Sequence, residues 1–248
     1  MDNLYILKGK QLPTHLKNLE SIYQLIEIGH DEICPGANLY YSDKLYFKST
    51  NSNYALFNID LDLQINKITK QKILKTDIFF KAFKNTDKET HIIDATAGGL
   101  KDAIFLMKLG FKVKSYEKNR IIFDLLTDAI NLTNHTYFNN EGNHHLFLGD
   151  SCELEKEPKI VYLDPMFSHN RKALPKKGMA IFSEILFSDS SLNDNNSNYI
   201  NSFFSKGAEK IIVKRADKAP YLEDIKPNYS HKGKTVRFDI YLSKKILK

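Results

Sequence analysis

The sequence predicts an α/β protein: a mostly parallel sheet with helices on both faces, ended by an antiparallel hairpin strand and preceded by a small α+β unit. Three observations carry this. From His91 onward, short apolar runs alternate with helical patterns, as β-α units around a parallel sheet do. Adjacent glycines, Gly98 and Gly99, punctuate the first strand-to-helix joint of that series. Near the end, Lys232-Gly233-Lys234 separates two short runs in the manner of a hairpin turn.

Taken in order, the elements divide into a unit over 1–75 and a larger domain over 76–248. A helix is expected over 14–28, with Leu16, Leu19, Ile22, Tyr23, Leu25 and Ile26 on one side and Gly29 as its stop. Strand-like runs follow at 38–41, 44–48 and 54–59, separated by Ser42-Asp43 and the polar stretch 50–53. The lysine-spaced stretch 66–84 reads as a helix leading into the main domain. Strands are then expected at 91–95, 112–116, 145–148, 159–163 and 209–214. Helices are expected at 101–109, 120–132, 180–187 and 199–205. The stretch 188–198, rich in Ser, Asn and Asp, reads as a loop.

Composition excludes several classes. With 42% hydrophobic and 27% charged residues in 248, the chain is neither disordered nor collagen-like. Its apolar runs are too short to cross a bilayer, and MDNLYILKGK lacks the apolar segment of a secretory signal. Cys34 and Cys152 form no paired motif, so neither a disulfide framework nor a cysteine-rich metal site is expected, and a reducing cytoplasm is the simplest home. A net charge of +6 suits a polyanionic partner, though lysine-rich surfaces also serve solubility alone.

The first chemical motif is Asp94-Ala95-Thr96-Ala97-Gly98-Gly99-Leu100-Lys101-Asp102, where the first core strand meets the first helix. Open α/β sheets bind ligands at the carboxyl ends of their strands. Glycines there let backbone approach a ligand, and the helix start offers free N–H groups. Glu117 ends the second strand, about 20 residues on, where an acid commonly takes ribose hydroxyls. The alternative is a plain tight turn with a solvated glutamate. A dinucleotide fingerprint needs a third glycine, and Leu100-Lys101-Asp102 supplies none, which counts against a nicotinamide enzyme. S-adenosylmethionine (SAM) fits better. It carries an ammonium and a carboxylate for the Asp94 end of the loop, and a ribose for Glu117. Asp150-Ser151, after the third strand, is placed to reach its adenine.

The second motif is Asp164-Pro165-Met166-Phe167, at the end of a strand. An exocyclic base amine is a poor nucleophile because its lone pair is delocalised. Asp164 and the Pro165 carbonyl can accept its hydrogens and direct the lone pair, and Phe167 can stack on the base. The structural alternative is a strand end with Met166 and Phe167 in the core. The third motif is basic. Arg171, Lys172, Lys176 and Lys177 follow the Asp-Pro loop, Lys214 and Arg215 end a later strand, and all are expected to contact a nucleic-acid backbone.

These pieces together resemble the RsmJ family of ribosomal small-subunit RNA (guanine-N2) methyltransferases. The resemblance rests on DATAGGLKDAIFLMKLGF, YEKNRIIFDLLTDAI, VYLDPMFSHNRKALPKKGM, IIVKRADKAPYL and GKTVRFDIYL, in the family's order. It implies a class I SAM-dependent methyltransferase (Rossmann-like) sheet. It implies SAM as methyl donor and N2 of one guanine in 16S rRNA, the base numbered 1516, as acceptor. The partner would be that RNA or the ribosomal subunit. Cofactor contacts carry over to Lys101-Asp102, Glu117-Lys118, Asp150-Ser151 and Asp164; Asp94, Gly98 and Gly99 join them from the loop itself. The family writes G-L-G-R-D where this chain has Gly98-Gly99-Leu100-Lys101-Asp102. An amino methyltransferase for another RNA or for DNA, and a non-catalytic RNA-binding module, share the same motifs.

Overall fold

In a computed structural model, residues 3–51, 56–140, 142–165, 177–188 and 198–243 are described. The strands are β1 (Asn3–Leu7), β2 (Gln24–Ile28), β3 (Asn38–Tyr41), β4 (Leu45–Lys48), β5 (Leu56–Phe57), β6 (His91–Asp94), β7 (Lys112–Glu117), β8 (His144–Leu148), β9 (Ile160–Leu163), β10 (Lys210–Ala216), β11 (Tyr229–Lys232) and β12 (Val236–Leu242). The α-helices are α1 (Leu61–Thr69), α2 (Ile78–Ala82), α3 (Lys101–Lys108), α4 (Arg120–Leu132), α5 (Thr136–Asn139), α6 (Ser151–Leu154), α7 (Lys177–Ser188) and α8 (Tyr199–Ser205). The chain forms two units. One comprises Met1–Leu63, Asn119–His135 and His169–Leu192, and the other Gln64–Lys118, Thr136–Ser168 and Asn193–Lys248. Among the described residues no helix is long and apolar enough to cross a membrane.

The first unit is built on a five-stranded sheet in the order β2-β1-β3-β4-β5. Its strand β1 pairs parallel with both β2 and β3, and the rest are antiparallel. Helix α4 starts on Asn119, whose side chain accepts from Ile122 N–H. It buries Ile122, Leu125, Leu126 and Ala129, but also two aspartates. Asp124 accepts from the Tyr23 hydroxyl at 2.7 Å and from Arg120 Nε. Asp128 accepts from Leu45 N–H at 2.7 Å and lies 2.9 Å from His15 Nε2. These bonds satisfy backbone and side-chain groups that burial would otherwise strand.

Two expectations are corrected here. The helix expected over 14–28 is a 3₁₀ helix, Thr14–Ser21, followed by strand β2. Leu16 and Leu19, three apart, are its buried pair, which suits three residues per turn. Gln24–Ile28 is instead claimed by the β1 ladder, and long-range pairing overrides the helical spacing. The helix expected over 66–84 is interrupted. α1 stops at Thr69, and Asp77 caps a new start at α2 by accepting from Phe79 N–H at 2.8 Å.

The second unit holds a seven-stranded sheet in the order β11-β12-β10-β9-β6-β7-β8. β12 runs antiparallel to β10 and β11; the other pairings are parallel. Ile93, Val161, Leu163, Ile211 and Val213 pack with Ile200 and Phe203 of α8 in one core layer. Phe79 of α2 anchors a second, ringed by Phe83, Phe105, Tyr162 and Phe238 at centroid distances of 4.7–5.8 Å. From the central pair β6 and β9, the chain winds outward through β7 and β8 one way and β10 the other. Their carboxyl ends therefore frame the crevice where such sheets bind ligands.

Candidate active site

The glycine loop is shaped by its backbone. After β6, Ala97 N–H donates to Tyr116 O at 2.9 Å, and Leu100 N–H returns to Ala97 O at 2.8 Å. Gly98 has φ +50°, and an added Cβ there would meet only Thr96 O, at 3.8 Å. The position thus demands glycine for its dihedral rather than for space. Gly98 N–H donates to Glu117 Oε2 at 3.0 Å, so the acid that ends β7 fastens the loop. Glu117 is 8% exposed. Gly99 is partly buried, Lys101 is exposed at the start of α3, and Asp102 follows one residue later.

Asp94 ends β6 almost fully buried, 1% exposed. Its carboxylate accepts from Thr96 N–H at 3.2 Å and from the Ser115 hydroxyl at 3.4 Å. Behind Ser115, His144 Nε2 lies 3.0 Å from the same hydroxyl oxygen. Burial pushes the Asp94 carboxyl up to about 8, and the charges of Asp102 and Asp164 push the same way against its two hydrogen bonds.

Asp164 follows β9 beside Pro165. Its N–H donates to Thr96 Oγ1 at 2.7 Å, which ties the two central strand ends together. Its carboxylate accepts from Lys214 Nζ at 2.8 Å. The same ammonium is 2.8 Å from Asp102 Oδ2, which also accepts from the Tyr162 hydroxyl at 2.6 Å. Burial raises the Asp164 carboxyl, Lys214 lowers it and Asp102 raises it, and the net direction is upward. Burial alone would lower the Lys214 ammonium, but the two carboxylates overrule it and leave it raised.

On the β8 side, Asp150 caps α6 by accepting from Cys152 N–H at 2.7 Å, and its second oxygen is 2.8 Å from Lys118 Nζ. Lys118 also donates to the Tyr199 hydroxyl at 3.0 Å. Burial would lower this ammonium, but Asp150 and Tyr199 hold it raised. Ser151 is 1% exposed, and its Oγ has no hydrogen-bond partner among the described residues.

The sequence-predicted residues Asp94, Gly98, Gly99, Asp102, Glu117, Asp150, Ser151, Asp164 and Pro165 thus gather at the carboxyl edge of one sheet. Two basic residues behave differently from the expectation. Lys214 is engaged with Asp102 and Asp164, and Arg215 is 5% exposed with Nε and Nη2 donating to Pro220 O. Adjacent strand residues face opposite ways, so these two side chains lie on opposite faces of β10. Phe167, Arg171, Lys172 and Lys176 lie outside the described residues, as does the side chain of Lys177. Thr96, Ser115, Tyr162 and Tyr199 were not expected at the site; the neighbouring Asp94 and Asp164 were their nearest sequence signals.

A family described as "Putative SAM-dependent methyltransferase" matches residues 22–243. A ribosomal RNA small subunit methyltransferase J of Francisella philomiragia is 33% identical over 211 residues, 82% of this chain and 82% of that protein. Proteins of the same name from Colwellia psychrerythraea and Pseudoalteromonas translucida are 36% and 33% identical; the matches cover 64% and 61% of this chain. The chain spans 59% and 62% of the length of those two relatives. A SAM-dependent methyltransferase of Neisseria gonorrhoeae, known from a crystal structure, has the same fold, with a TM-score of 0.69 at 22% identity over 99% of both chains.

The fold is that of a class I SAM-dependent methyltransferase, and the family match makes SAM the cofactor. The residues present suit that group in chemistry: a Ser151 hydroxyl without a hydrogen-bond partner among the described residues, a buried Asp94 carboxyl and an open turn at Gly98 lie at this edge. The chain belongs to the RsmJ family, the ribosomal RNA small subunit methyltransferases J.

Proposed function

We propose that the protein methylates the exocyclic N2 of a guanine in small-subunit rRNA, the base numbered 1516 in the family's substrate. The observation that carries this reading is Asp164-Pro165 at the mouth of the central crevice, held by Thr96 and Lys214. Bound SAM supplies a methyl group on a cationic sulfur, which needs no further activation as a leaving group. Asp94 would hold its ammonium, Glu117 its ribose and Ser151 its adenine. Asp164 would accept a hydrogen bond from N2–H and orient the amine lone pair, with the Pro165 carbonyl taking the second hydrogen. Asp164 would take the proton that N2 sheds as it gains the methyl group. The protein's part is alignment and electrostatics, the usual main contributors to such a transfer. Phe167 would stack on the flipped base.

The test is incubation of the purified protein and methyl-labelled SAM with naked 16S rRNA and with unmethylated small subunits, followed by mapping of the modified base. Label on N2 of that guanine in either substrate is expected. Label on another base, or only on DNA, would overturn the reading. Asp164→Ala should lower turnover by about 10²–10³-fold, the effect of losing one oriented polar group.

A further inference from the structure

We propose that Lys214 is a positioning residue of the methyl-transfer site: clamped between Asp102 and Asp164, its ammonium fixes the Asp164 carboxylate in place and in its anionic form, and it does not contact the RNA backbone. The inference rests on the role of Asp164 proposed above. Its basis is geometric. One ammonium lies 2.8 Å from both Oδ2 atoms, and the Asp102 oxygen it touches is also fixed by Tyr162 at 2.6 Å. The side chain of Lys214 is 26% exposed and that of Asp164 is 39% exposed, so Asp164 is the member of the pair that keeps an accessible side.

A group that is to take the amine proton must itself be unprotonated. Among the described residues, Asp164 is faced by the carboxylates of Asp94 from β6 and Asp102 from α3, by the Tyr162 hydroxyl from β9 and by Lys214 from β10. Two further carboxyl groups and one phenol surround it, and Lys214 is the single cation of this set. Three carboxylates converging on one crevice would otherwise compete for protons and leave some neutral. Lys214 opposes that at Asp164, lowering its carboxyl against burial and the Asp102 charge, and holds one of its oxygens at 2.8 Å. A lysine so neutralised has little charge to spend on a phosphate.

The experiment compares Lys214→Met and Lys214→Arg with the parent. Thermal melting first identifies the folded variants. The first readout needs neither SAM nor RNA: ¹³C NMR of aspartate side-chain carboxylates, with the Asp164 resonance assigned by its loss in Asp164→Asn. Removing an opposite charge at this distance should move the Asp164 midpoint up by about one to three pH units in Lys214→Met. Lys214→Arg should restore most of it, and Asp102→Asn should move it down. The second readout is the pH profile of methyl transfer, whose acidic limb should shift upward with the midpoint while KM for RNA stays near the parent's. The third is the salt dependence of rRNA binding, which should be unchanged in Lys214→Met. An unmoved Asp164 midpoint in a folded Lys214→Met protein overturns the proposal. So does a salt slope lowered by about one unit, the loss of one phosphate contact. If the midpoint moves as stated but no variant nor the parent modifies rRNA, the substrate reading fails and the role of Lys214 stands.

Discussion

Leu100 holds a left-handed backbone, φ 58°, immediately before α3, and its side chain is fully buried. Left-handed conformation costs a non-glycine residue about 1–2 kcal/mol, whereas burying a leucine contributes about 1.5–3 kcal/mol. Burial wins, so a residue other than glycine survives where the family's pattern G-L-G-R-D has its second glycine. Leu100→Gly should therefore lower stability by about 1 kcal/mol in urea titration, since lost burial outweighs relieved strain. A second residue-scale prediction concerns Asp94. Its folded value of about 8 lies above the ordinary 3.8, so folding takes up a proton between those values. Stability from this group is present below pH 4 and falls as pH rises toward 8, with a slope of at most about 1.4 kcal/mol per pH unit. Asp94→Asn should flatten that fall and raise the melting temperature at pH 8–9 in the absence of SAM, while weakening SAM binding. Melting curves across pH 5–9 for both proteins check it. The place of Asp94 was legible, because it ends a strand before a glycine turn. Lys214 was legible only as basic: its partners come from a helix and a strand end far away in sequence, and no local pattern announces them.

At the scale of elements, helix α4 shows what hydrophobic spacing conveys and omits. Its extent, Arg120–Leu132, follows directly from the apolar pattern and the Asn119 cap. Asp124 and Asp128, which the apolar pattern leaves unassigned, are 1% and 3% exposed. Besides Arg120 on the same helix, their hydrogen-bond partners Tyr23, Leu45 and His15 belong to a segment distant in sequence. Asp128→Ala should strand the Leu45 N–H and cost about 1–3 kcal/mol, the penalty of an unsatisfied buried donor. Asp128→Asn, which keeps an acceptor oxygen, should cost less; denaturant melts of the two rank them. The same physics explains why the 24–28 segment was read as helix. Leu25, Ile26 and Ile28 fit either period over so short a run, and only the ladder to β1 decides. The core strands β6, β9 and β10 were legible because each holds a buried β-branched run, and β7 through its place in the repeating β-α series.

For the whole molecule, electrostatics should dominate encounter with RNA. A net +6 raises non-specific affinity for any polyanion, and each phosphate contact adds to the salt dependence. Arg171 and Lys172 directly follow the Asp-Pro loop in sequence. Replacing both with Ala should flatten the log–log salt slope of rRNA binding by about 1–2 units and leave SAM affinity unchanged. Filter binding at several salt concentrations measures this, and an unaltered slope would move the RNA surface elsewhere.

The division of the chain into interleaved units bears on how the protein is made. Met1–Leu63 shares its unit with Asn119–His135 and His169–Leu192, so that unit lacks its final pieces until the ribosome has passed residue 192. At elongation rates of about 5–20 residues per second the first segment waits roughly 6 to 26 s for them. During that interval its exposed apolar surface is open to chaperones. A nascent chain arrested shortly after residue 63 should be readily cleaved by protease, and one arrested well beyond residue 192 should resist.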